Sequence, residues 1–79
     1  MNQPEAIAWI AEIFEEPPEN VGKGTVRTEI AGWDSLGQLA LMAALDEKFD
    51  IQVKDTEIAG FASVGDILDL LRRNGALDG

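Results

Sequence analysis

The chain has no cysteine, no histidine and no tyrosine. Without cysteine there is no disulfide, no thiolate metal ligand and no thiol nucleophile. Without histidine the usual general base near neutral pH is missing, and a Ser-His-Asp triad cannot be assembled. Hydroxyls are scarce too: Thr25, Thr28, Ser35, Thr56 and Ser63 are the full set. These absences argue against an independent enzyme and for a chain on which other proteins act. Basic residues are also few. Against 15 Asp and Glu stand 6 Lys and Arg, a formal net charge of −9. That balance repels phosphate backbones and anionic lipid heads, so neither nucleic acid nor membrane is an expected partner, whereas proteins with basic patches are. No apolar run approaches the roughly 18 residues of a membrane span, and no signal-peptide pattern opens the chain, so the cytoplasm is the expected location.

What remains is enough for one small core. Seventy-nine residues, 46% of them hydrophobic, suit a single soluble domain. Ile7, Ile10, Ile13 and Phe14 recur at helical spacing behind Pro4, which predicts a first helix over about 4–15, stopped by Pro17-Pro18. From 16 to 34 no period is sustained. Such a connection reads as a long functional or specially packed loop, with Val21, Val26 and Ile30 as candidates to pin it down. The run Thr25–Ile30 alternates, but no other segment offers it a strand partner, so loop is the reading.

The second helix, about 35–49, carries two adjoining apolar stripes, Leu36-Leu39-Ala40-Ala43 and Leu41-Met42-Leu45-Phe49. Asp34 precedes it as an N-cap, its carboxylate placed for the unpaired N–H groups of the first turn. A short third helix is expected at about 55–59. A fourth follows at about 64–73, opened by the capping-box pattern Ser63-x-x-Asp66 and closed by Gly75. The fold class is all-α: a small bundle of three main helices and one short one. Leu41, Leu45, Phe49, Val64, Ile67, Leu68 and Leu71 are its expected core.

Gly32-Trp33-Asp34-Ser35-Leu36 places one hydroxyl at the head of the strongest helix, where N–H groups and the helix dipole favour an anion such as a phosphodiester. Taken alone, the same residues make an ordinary helix cap. With Leu41-Met42-Ala43-Ala44-Leu45-Asp46-Glu47-Lys48-Phe49-Asp50-Ile51 and Ser63-Val64-Gly65-Asp66-Ile67 downstream, the chain resembles the acyl carrier protein family over about residues 5–75. The resemblance covers the motif, the order of elements, the size and the acidity.

The resemblance implies a carrier rather than an enzyme. A phosphopantetheinyl transferase would transfer the 4′-phosphopantetheine arm of coenzyme A, with Mg²⁺, to Ser35, and the arm's thiol would hold an acyl group as a thioester. Asp34 would assist the transferase's metal as well as cap the helix, and Leu36 would be read by the transferase or pack beneath the arm. Leu39 and Ala43 match positions bordering the family's acyl cavity; plain bundle core is the other reading of both. Partners would be the transferase and acyl-loading and acyl-transferring enzymes with basic or apolar docking patches, the carrier itself acting as a monomer.

One departure stands out. The family's fatty-acid-synthesis carriers bear acidic residues two and five positions after the serine, where this chain has Gly37 and Ala40. That points to a specialised pathway. Gly37 costs a helix about 1 kcal/mol relative to Ala, and reflects either close approach of another segment or tolerance near the helix start. Trp33 is open between a packed loop anchor and a partner contact. Asp46, Glu47, Asp50, Asp55 and Glu57 read as a solvated acidic edge rather than a calcium loop, since Lys48 and Ile51 occupy positions where an EF-hand needs a ligand and a glycine. The rival to the carrier is an acidic helical interaction module with no prosthetic group.

Overall fold

Asn2 and Glu5 start the first helix. Each side chain accepts a hydrogen bond from the other's backbone N–H (Glu5 N to Asn2 Oδ1 2.9 Å, Asn2 N to Glu5 Oε1 3.0 Å), in a computed structural model that describes residues 1–78. This reciprocal cap opens α1, Gln3–Ile13. The helix ends two residues earlier than expected. Pro17-Pro18 does not stop it; Glu15 does, by turning left-handed at φ 55°. Glu16 N then donates to Ala11 O (2.9 Å) and Glu15 N to Glu12 O (3.1 Å), a Schellman closure built without glycine.

Helices α2 (Ser35–Phe49), α3 (Asp55–Ala59) and α4 (Val64–Arg73) follow at the anticipated positions. Asp50 ends α2 in a left-handed conformation. Gly75 (φ 73°) closes α4, where Ala76 N donates to Leu71 O at 2.9 Å. At the start of α4 the Asp66 carboxylate accepts from Ala62 N (2.7 Å) and Ser63 N (3.2 Å).

Ile10, Leu41, Leu45, Ile58, Val64, Ile67, Leu68 and Leu71 are fully buried and form the centre of the bundle. Phe49, expected in the core, is only partly buried and meets Trp9 edge-on at its margin, ring centroids 5.3 Å apart. The larger correction concerns α2. Gly37, Leu41 and Leu45 are its buried residues, whereas Leu36 and Leu39 are 76% and 60% exposed and Ala40 and Ala43 face solvent. Periodicity marked both stripes as apolar. A helix at the side of a bundle of four has neighbours for only one of them, and α1 and α3 make its closest packing.

Between α1 and α2 the chain is more ordered than a featureless loop. It makes two 3₁₀ turns, Pro18–Asn20 and Arg27–Glu29, and buries Val21, Ile30 and Trp33. Val26 does not pin it, being 42% exposed. Its backbone does, because this segment finds the pairing partner that sequence patterning did not reveal. Arg27 N donates to Ala62 O (2.8 Å) and Val64 N to Thr25 O (2.9 Å), an isolated antiparallel bridge centred on Val26 and Ser63. The loop is thereby tied to the start of α4.

Candidate functional site

The head of α2 is positioned by two glycines. A Cβ on Gly37 would overlap the carbonyl oxygen of Gly32 and come within 3.2 Å of Phe14 Cδ1. One on Gly32 would overlap the carbonyl oxygen of Phe14. The end of α1, the end of the loop and the first turn of α2 therefore lie backbone against backbone. Of the two readings of Gly37, close approach is the one the structure supports.

Trp33 completes this support. It is 4% exposed and stacks on Phe14 with centroids 5.0 Å apart and planes 15° from parallel. It is thus a packed anchor directly before the motif, with its indole Nε1 buried and unpartnered. The Arg27 guanidinium lies 5.8 Å from the Trp33 ring centre. Gln38, its amide oxygen turned toward Arg27, accepts from both terminal guanidinium nitrogens at 2.8 and 3.0 Å. Sequence reading gave Phe14, Gly32, Arg27 and Gln38 no role in supporting the site. The spacing of Gly32 and Gly37 around the motif was the one available signal, and nothing local marked Arg27.

On this platform Asp34 is the N-cap: its Oδ1 accepts from Gly37 N at 2.9 Å, and its backbone carbonyl accepts from Gln38 N at 2.8 Å. Ser35 is the first residue of α2 and is exposed, with Leu36 beside it. A cleft of about 290 Å³ opens next to Ser35 between α2 and α3, lined by Ser35, Gln38, Leu39, Met42, Asp55, Ile58 and Ala59. Leu39 stands at this cleft; Ala43 does not line it and points to solvent. Neither is bundle core. Met42 and Ile58, which no sequence signal marked for the cleft, supply apolar wall beside Leu39.

Among the described residues no group of three or more carboxylates is gathered to hold a metal ion, so the acidic residues from Asp46 to Glu57 form no cation cage. No helix there is long and apolar enough to cross a membrane.

A small helical bundle that presents one open hydroxyl at the head of a capped helix, next to an apolar cleft, has the architecture of a small carrier domain. Comparison with known proteins agrees. The family described as "Phosphopantetheine attachment site" matches residues 7–71. The chain is 35% identical to the acyl carrier protein of Wolinella succinogenes over 65 residues, covering 82% of this chain and 86% of that one. It is 34% identical to the acyl carrier protein of a Sulfurovum species over 62 residues, covering 78% and 83% respectively. Against the meromycolate extension acyl carrier protein of Mycobacterium leprae it is 27% identical over 77 residues, 92% of this chain and 67% of that one. The chain belongs to the acyl carrier protein family. Membership implies a covalently attached 4′-phosphopantetheine as cofactor. Carriers of this family are not themselves enzymes; they work with phosphopantetheinyl transferases and biosynthetic enzymes.

Proposed function

We propose that Ser35 bears the 4′-phosphopantetheine arm and that the protein carries acyl groups as thioesters within a specialised pathway of the cytoplasm. The observation that carries this reading is the exposed Ser35 side chain at the first position of the Asp34-capped helix, beside the cleft. The residues there suit the group. The arm supplies a thiol that the cysteine-free chain does not have. Ser35 and Leu36 lie in the first turn, where backbone N–H groups and the helix dipole favour the phosphodiester's charge. Asp34 caps through Oδ1. Its other oxygen makes no hydrogen bond among the described residues and is available to the Mg²⁺ that a transferase brings.

In this reading Leu36 contacts the transferase, and Leu39, Met42 and Ile58 line the entrance through which an acyl chain is shielded from water. Ala43 lies outside that cleft and serves only as a small surface residue of the same helix. The absence of carboxylates at positions 37 and 40 supports the specialised pathway. Equal turnover by general fatty-acid-synthesis enzymes, measured beside a standard carrier, would count against that part.

The test is intact mass after incubation with coenzyme A, Mg²⁺ and a broad-specificity phosphopantetheinyl transferase. One phosphopantetheine adduct is expected on the native chain and none on Ser35→Ala, whose unfolding free energy should be unchanged within about 0.5 kcal/mol, as for an exposed site. Asp34→Asn should keep the cap and the stability but slow the modification. If no transferase modifies the native chain, Asp34-Ser35 is an ordinary helix cap and the acidic interaction module becomes the reading.

A further inference from the structure

Arg27 is a cation held by neutral partners. Among the described residues it is the one basic residue of six that is partly buried; the other five are exposed. Drawing a charge out of water is costly unless a counter-charge meets it. The chain has 15 carboxylates from which to supply one. None does: the three salt bridges among the described residues use the Met1 amino group, Arg72 and Arg73. The guanidinium rests instead against the Trp33 ring, the Gln38 amide oxygen and, at 3.5 Å, the carbonyl oxygen of Ala59.

These partners occupy one edge of the guanidinium and leave the other. Nη1 and Nη2 share the Gln38 oxygen at 3.0 and 2.8 Å, and Nη1 also reaches Ala59. Nε and the second Nη2 hydrogen have no acceptor among the described residues. Side by side, these two donors form the fork that matches the paired oxygens of a carboxylate or a phosphate. Location gives the fork its meaning. Gln38 on α2 and Ala59 on α3 both line the cleft beside Ser35, so the guanidinium braces the two walls of that cleft. Gln38 also follows Ser35 by one helical turn on the same face. Asp55, the carboxylate on the same lining, is exposed and makes no ion pair with Arg27.

We propose that Arg27 binds an oxyanion borne by the group on Ser35: the phosphodiester of the arm itself, or a carboxylate ending a short acyl cargo whose stem lies along Leu39, Met42 and Ile58. This rests on the carrier reading above and adds to it a binding residue for the carried group. The ion pair forms only in the loaded protein, where it compensates a charge that the unloaded chain keeps partly desolvated. Elsewhere on a chain of net charge −9 an added anion meets repulsion, so a gain in stability on loading separates binding at Arg27 from the general field.

The experiment loads the whole chain with a broad-specificity transferase from coenzyme A, glutaryl-coenzyme A or valeryl-coenzyme A, valeryl being glutaryl with methyl in place of the carboxylate. Each form is unfolded in urea beside Arg27→Gln and Arg27→Lys, whose folding is checked first by circular dichroism of the unloaded chains. The form that delivers the oxyanion should unfold at about 0.5–1 M more urea than the form without it. Arg27→Gln should abolish that gain, and Arg27→Lys, which keeps the charge without the fork, should retain part of it. A gain on adding the bare arm assigns the phosphodiester, and a gain of glutaryl over valeryl assigns the cargo carboxylate. In the native chain the NMR signal of the Arg27 Nε–H should shift, and its exchange with water slow, in the same form. The proposal is overturned if loading moves the midpoint equally in Arg27→Gln, or if the native Nε–H signal is the same in all forms; Arg27 is then only a brace between loop and helices. A native chain that gains no adduct overturns the carrier reading and this proposal with it, whereas a normally loaded chain indifferent to Arg27 overturns this proposal alone.

Discussion

At the scale of single residues, Gly37 separates two forces that usually act together. Helix propensity favours alanine there by about 1 kcal/mol. Packing opposes it, because the added Cβ would overlap the Gly32 carbonyl oxygen, a backbone atom held in turn against Phe14. Backbone does not yield as the end of a flexible side chain does. Gly37→Ala should therefore destabilise the protein by about 1–3 kcal/mol, the cost of overpacking, as read from urea unfolding. It should also slow modification of Ser35, since the first turn of α2 would have to shift. A gain in stability would show that the contact relaxes freely and that Gly37 is merely tolerated near the helix start.

The elements differ in how plainly their ends are written. Gly75 closes α4 with a residue made for φ above zero, and it was legible from sequence for that reason. Glu15 and Asp50 take the same left-handed region without being glycine, so α1 was expected to run on toward Pro17. A left-handed L-residue costs about 1–2 kcal/mol, of which the greater freedom of an unfolded glycine returns about 0.4–1. Glu15→Gly should then raise the unfolding free energy by about 0.5–1 kcal/mol, measured by urea titration with an unchanged m-value. Patterning also missed the bridge between Val26 and Ser63, since pairing of two single residues far apart leaves no periodic trace.

For the molecule as a whole the governing quantity is charge. A net charge of −9 on 79 residues leaves most carboxylates without a cation: the described residues form three ion pairs, and among them no polar or charged residue is buried. Self-repulsion of this kind opposes the compact state and is screened by salt. Raising NaCl from about 10 to about 500 mM shortens the Debye length from roughly 30 Å to a few ångströms. If that relieves about 1 kcal/mol, the melting temperature should rise by about 4–8 °C, as followed by circular dichroism. A melting temperature independent of salt would mean that the carboxylates are spaced widely enough to ignore one another.

The sequence by itself determined the helices, because apolar periodicity and capping residues such as Asp34 are local properties written along the chain. It also determined which hydroxyl stands at the head of the strongest helix, and the resemblance to carrier proteins rested on that. Tertiary structure decided what no local pattern contains. It chose between the two apolar stripes of α2, burying Leu41 and Leu45 and leaving Leu36 and Leu39 in water. It put Leu39 at the cleft and Ala43 outside it, and set Arg27 against Gln38 and Trp33. The physical reason is that burial belongs to pairs of surfaces. A helix can state that a face is apolar, but only its neighbours decide whether that face is covered.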